Sequence, residues 1–352
     1  MRSLKLLLYL FISCLCFGCK SSLPQKSRIN KQNDVYVLSF ADLSFSVSAK
    51  KGGRIISFKC RDKELLTSDL VHSKYYGATF WLSPQSNYWP QYRCVDELPY
   101  KAEIDGQILR LVSSPDSLSG ISIIKEFSVS ERDSSILINY SVRNVSCQLK
   151  RFAPWDVVRV HGGLSFFPVG EADQMNKSDV TGAYEDKGIM WVPCPDGTNE
   201  RGQKLYSTAY EGWIAHYYKE LLFIKCFPDI GPGEVPPGQG EAEIFVAPKG
   251  RYLELENHGR YTELPPGESL VYQQKWFLKD VSDGRVSDWT SKLKRYIDKQ
   301  KNVDKACFCT GKDLWYQICP FSTINTTRSV SLSSPCGSYS FFKLAPNSAA
   351  NA

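Results

Sequence analysis

Residues 120–146, GISIIKEFSVSERDSSILINYSVRNVS, set two runs of alternating apolar and polar residues on either side of the turn-rich SERDSS. A two-residue period sends successive side chains to opposite faces, so each run reads as a strand with one face buried. The same texture extends in both directions. VYVLSF, SFSVSA, RIISFKC and LRLVSS lie upstream, and DVVRV, LLFIKCF, EAEIFVA and YLELEN lie downstream. Turn signals such as KKGG, CPDGTNERGQ and GPGEVPPGQG separate them. From Val35 to Lys279 no long amphipathic helix intervenes. Strands without crossover helices exclude a parallel α/β sheet and predict an all-β protein, one large antiparallel sandwich over 34–280.

The flanks differ. Residues 1–19, MRSLKLLLYLFISCLCFGC, place Arg2 and Lys5 ahead of an apolar run too short for a stop-transfer helix, the pattern of an export signal. Its end, Leu15 to Cys19, resembles a bacterial lipobox, which makes Cys19 the expected lipid attachment point and the cell envelope the expected location. Residues 20–33 are polar and without period, and are expected to form a flexible tether. A single amphipathic helix is expected within 281–305, where Val286, Trp289, Leu293 and Ile297 recur at helical spacing. The last stretch, 306–352, loses its acidic residues and its periodicity and is expected to be irregular.

Losing Arg2 and Lys5 with the signal lowers the formal charge from +6 to +4, with no dense Lys/Arg block, so nucleic acid is not an expected partner. Cys60, Cys94, Cys147, Cys194 and Cys226 are too widely spaced for a zinc pattern. They fit either disulfides of an exported protein or small buried hydrophobes. No cofactor or metal is expected.

Three stretches carry candidate chemistry. In YYGATFWLSPQSNYWPQYR, Tyr75 to Arg93, the rings of Trp81 and Trp89 stand beside Gln85 and Asn87 in a segment broken by prolines. Flat rings next to amides suit a sugar, whose CH faces stack while its hydroxyls take planar donors and acceptors; equally, aromatic loops cap sandwich ends. In APWDVVRVHGG, a strand would share Trp155, Arg159 and His161 on one face and put Asp156 on the other. Arg159 would then either fork onto a ligand or pair with an acid on a neighbouring strand. In LELENHGRYTELPPGE, 253–268, Glu254, Glu256 and His258 fall on one strand face, the two carboxylates about 6.5 Å apart. That spacing approaches an inverting glycosidase pair, although neighbours on one strand rarely bracket a bond from opposite sides.

The order RIISF, GATFWLSPQSNYWP, APWDVVRV, GLSFFPVG, GWIAHYYKELLFIKCF, EAEIF and LELENHGRYTELPPGES resembles the bacterial domain of unknown function 4380 family, similar in fold to galactose mutarotase (aldose 1-epimerase). The resemblance covers Val35 to Lys279 and implies a β-supersandwich with a carbohydrate site on its concave face. Mutarotases pair a carboxylate base with a histidine acid. The Leu-Glu-x-Gln stretch that bears the base, before a Leu-x-Pro-Gly-Glu turn, matches Leu255-Glu256-Asn257-His258, so the resemblance implies Glu256 as base, with Glu254 two residues away. The acid's strand corresponds to APWDVVRV, which has no histidine. His161, His216, His258 or Asp156 would have to serve instead. The expectation is therefore an envelope lipoprotein that binds a carbohydrate, with Trp81, Trp89 and Trp155 as platforms and Gln85, Asn87, Arg159, Glu256 and His258 as polar anchors. In such a site Trp155→Ala or Arg159→Ala would weaken binding without unfolding the domain. The alternatives are a carbohydrate epimerase with Glu256 as base and Asp156 or a histidine as acid, and a non-catalytic protein that docks a protein partner.

Overall fold

The computed structural model describes residues 26–170, 177–194 and 200–282. Cys19, the export signal, the helix expected within 281–305 and the 306–352 tail lie outside the described residues. Two antiparallel sheets, of twelve and ten strands, face one another. The runs that opened the sequence reading form Ile121–Ser130 and Ser135–Asn144, paired from Ser130↔Ser135 to Ile121↔Asn144 in the second sheet. Ile121, Ile123 and Phe127 turn inward with Ile136, Ile138, Tyr140 and Val142, as the alternation predicts. Lys125 shares that inward face. Its Nζ donates to the Gly52 carbonyl at 2.6 Å, and burial pulls its pKa down to about 7.

Arg28–Gln32 corrects the tether expected over 20–33: it is an edge strand paired with Val35–Phe40 along its whole length. Most of its side chains are exposed, so no hydrophobic period marks it. Backbone pairing holds it, helped by Ile29, which packs against the core, and by the Ser27 backbone N–H and hydroxyl, which donate to Glu131.

The first sheet runs in space through Arg54–Cys60, Ala78–Ser83, Lys150–Val160, Leu253–His258, Ala242–Val246 and Gln203–Ser207. Its central strands are buried on both faces, which is why ATFWLS and FAPWDVVRV read as near-continuous apolar runs. Between the sheets, Phe45, Phe58, Phe223 and Trp276 meet edge-on, with ring centroids 5.3–6.3 Å apart for Phe45–Phe58, Phe58–Phe223 and Phe223–Trp276.

A polar bridge also crosses this core. Lys225, on Leu221–Cys226 of the second sheet, donates to Asp156 Oδ1 and to the Leu255 carbonyl, both at 2.9 Å. The Tyr140 hydroxyl donates to Asp156 Oδ2 at 3.3 Å. Asp156 therefore faces the second sheet and not a substrate, which removes it as the acid partner of Glu256. The reason is the two-residue period itself: Asp156 lies between Trp155 and Val157, whose side chains take the other face.

Candidate functional site

Strand register assembles the site. On the face of the first sheet turned away from the second, three rows of side chains cross the central strands. One row is Trp81, Trp155 and His258. The next runs Thr79, Val157, Glu256, Glu243 and Tyr206, and the third Arg159, Glu254, Phe245 and Lys204. Residues scattered over more than 170 positions thus become cross-strand neighbours. A pocket of about 450 Å³ opens on this face.

Its aromatic side is built from three indoles. Trp81 and Trp155 cross at 73° with centroids 5.1 Å apart, and Trp89 stands 5.1 Å from Trp81 and 6.4 Å from Trp155. Each strand-borne ring is pinned by its indole N–H. Trp81 donates to Asp96 Oδ2 at 2.8 Å and Trp155 to Glu256 Oε2 at 2.9 Å. Trp89 is the free one, 41% exposed on the loop that follows Ala78–Ser83.

The polar floor centres on Lys204, a residue that sequence reasoning missed. Its Nζ lies 2.8 Å from Glu243 Oε2 and in close contact with Glu256 Oε1. Glu243 is held by the Gln239 side-chain amide and the Gly240 backbone N–H, both 2.8 Å away. His258 stacks behind Trp155 and brings Nε2 within 3.3 Å of Glu243. Burial works to raise Glu243, yet Lys204 and His258 hold it well below the carboxylate range. Glu256 goes the other way: burial, with the charges of Glu243 and Glu254, outweighs Lys204 and pushes it up to about 8. Burial opposes the Lys204 ammonium, but the two carboxylates keep its pKa above the ordinary lysine value. One ionised glutamate, one ammonium and one glutamic acid that holds its proton through neutral pH are therefore packed together. Glu243, Glu256 and His258 place potential metal-ligating atoms within 4.8 Å of one another. Lys204 already supplies the positive charge such a group would seek.

Among the expected site residues, Trp81, Trp89, Trp155, Gln85, Glu254 and Glu256 line the pocket. Asn87 does not. Gln85–Tyr88 is a single helical turn, so residues 85 and 87 diverge, and Asn87 is exposed beside Ser86. Arg159 is fully buried beneath the site, with Nε 2.7 Å from Glu254 Oε1 and its guanidinium 4.9 Å from the Trp81 ring. It is thus the cross-strand ion pair, and Arg159→Ala would leave the half-buried Glu254 carboxylate without its partner instead of testing ligand contact. Trp155, only 2% exposed, is likewise too deep for a clean truncation. Of the three histidines that could replace the missing acid, His216 bonds Ser165 within the second sheet and His161 stacks on Tyr218, so His258 is the one that adjoins the cluster.

Two antiparallel sheets with this pocket on the outer face of one define a galactose mutarotase-like sandwich. The chain belongs to the family described as Domain of unknown function (DUF4380), whose profile matches residues 100–279. A putative aldose 1-epimerase from Klebsiella pneumoniae subsp. pneumoniae MGH 78578 is similar over 78% of this chain and 87% of its own, at 9% identity and a TM-score of 0.53. The Slr1438 protein from Synechocystis sp. PCC 6803 is similar over 75% of this chain and all of its own, at 11% identity and a TM-score of 0.50. At such identities the likeness shows the fold alone. No curated protein matches the sequence.

Proposed function

We propose that the protein binds a carbohydrate in this pocket. The observation that carries the reading is the pairing of an indole cluster with a charged floor: Trp89 and its two pinned neighbours offer ring surface to CH groups, while Glu256, Lys204 and Gln85 offer hydroxyl partners. A thermal-shift and calorimetric screen of mono- and oligosaccharides tests it. A ligand at a hundred times its Kd adds about 2.7 kcal/mol of stability. Trp89→Ala, which removes an exposed ring, should leave the melting temperature unchanged and weaken binding about tenfold, or ~1.4 kcal/mol. Equal affinity in the variant would take the ligand elsewhere.

A second reading, an epimerase, is favoured by one observation: titratable partners lie in direct contact with Glu256. Polarimetry on every sugar that binds separates the two. Anomer interconversion accelerated by the protein and abolished in Glu256→Gln supports chemistry, and binding without acceleration supports a binding module. As part of the same proposal, lipidation of Cys19 would hold the pocket at the cell envelope. The mass of the membrane-extracted protein checks this, since an unmodified Cys19 would remove the anchor.

A further inference from the structure

We propose that the sugar carries an anionic substituent, a carboxylate or a sulfate ester, received at the His72–Arg251 end of the pocket. This deepens the carbohydrate reading and rests on it. The pocket is polarised. At the floor, Glu243 and Glu256 share a single cation, Lys204. At the opposite side, two guanidiniums, Arg159 below and Arg251 on the lining, stand against one carboxylate, Glu254. Glu254 is committed to Arg159 at 2.7 Å, and among the described residues no carboxylate pairs with Arg251. Arg159 Nη2 is buried there without a hydrogen-bond partner, so the Arg159 charge is not fully met by Glu254.

His72 adds a directed donor. Its Nδ1 accepts the backbone N–H groups of Lys74 at 3.2 Å and Tyr75 at 2.9 Å. The ring proton of the neutral imidazole must then sit on Nε2. Burial, reinforced by Arg251 and Arg159, lowers the His72 pKa and keeps the ring neutral at physiological pH. The rings of Tyr75 and Tyr252 hold it in place, with centroids 4.8 and 6.0 Å away. A guanidinium fork beside an N–H donor, over a net positive background, matches an oxyanion. A neutral hydroxyl would leave the Arg251 charge uncompensated. The ligand is thereby oriented, with its acidic group at Arg251 and its ring hydroxyls toward Glu256 and Lys204.

The test is calorimetry with matched pairs. Oligogalacturonates and oligoalginates are each compared with their methyl esters, and chondroitin sulfate oligosaccharides with their desulfated forms. At least one acidic member should bind about tenfold or more tightly than its neutralised partner. Which pair shows the difference tells carboxylate from sulfate. Arg251→Gln, at an exposed position that leaves the fold intact, should erase the preference and flatten its salt dependence. Neutral forms that bind as well as acidic ones, or a preference that survives in Arg251→Gln, would overturn the inference while leaving carbohydrate binding in place. A panel in which nothing binds would overturn the carbohydrate reading, and this inference with it.

Discussion

Replacing Lys204 by methionine should cost the fold about 3–5 kcal/mol, because it leaves Glu243 and Glu256 facing each other in a buried site without their cation. The loss should depend on pH. Glu256, raised to about 8 from an ordinary value of 4.5, keeps its proton in the folded chain while the unfolded chain releases it. Its contribution to stability is therefore complete below pH 4.5 and is lost as pH rises toward 8. Without Lys204 the ionised form is less tolerable still, so the Glu256 part of the deficit should grow above pH 8, where the parent ionises and the variant does not. Chemical denaturation at pH 5, 7 and 9 measures it. At pH 9, Lys204→Met combined with Glu256→Gln should recover much of the lost stability, since there the second change removes a carboxylate charge facing Glu243. A Lys204→Met variant as stable as the parent at pH 9 would show that the ammonium does not bridge the two carboxylates.

Asp156→Asn should cost a similar amount, about 3–5 kcal/mol, for a different reason. Lys225 and Asp156 are both fully inaccessible, and without the carboxylate charge the ammonium is left with neutral acceptors such as the Leu255 carbonyl. Burial already lowers the pKa of Lys225, so in the variant it should shed its proton instead of remaining charged. Adding Lys225→Met should restore part of the stability, because it removes the buried ammonium that Asp156→Asn leaves without a counter-charge. Sugar affinity per folded molecule should not change, since Asp156 faces the other sheet. A variant that folds normally yet loses binding or turnover would return Asp156 to the site.

The all-β class was legible because alternation is a local signal, as in Ile121–Ser130 and Ser135–Asn144. The edge strand Arg28–Gln32 was not, since an exposed edge needs backbone partners and no apolar period. Within the site, Glu254, Glu256, Trp81 and Trp155 could be found because each sits in a short stretch rich in chemistry. Lys204 and Glu243 lie in QKLYS and EAEIFVA, which look like ordinary strands, and only register brings them beside Glu256. Period alone did place Arg159 and Asp156 on opposite faces. What it left open was which face meets the second sheet, a long-range choice that no local pattern contains.

The three rows of side chains have a further consequence for ligand entry. Trp155, Glu256, Glu243 and Lys204 sit on paired strands with their rotamers fixed by mutual contacts, so this half of the pocket is already in its working arrangement before a ligand arrives. It gives up little conformational entropy on association. Trp89 and Arg251 stand on connecting segments outside the strands, and ordering their side chains is the main entropic cost the pocket has left to meet. Changes to those two segments should therefore retune which ligand is held and for how long, while the strand rows keep the geometry of the floor constant.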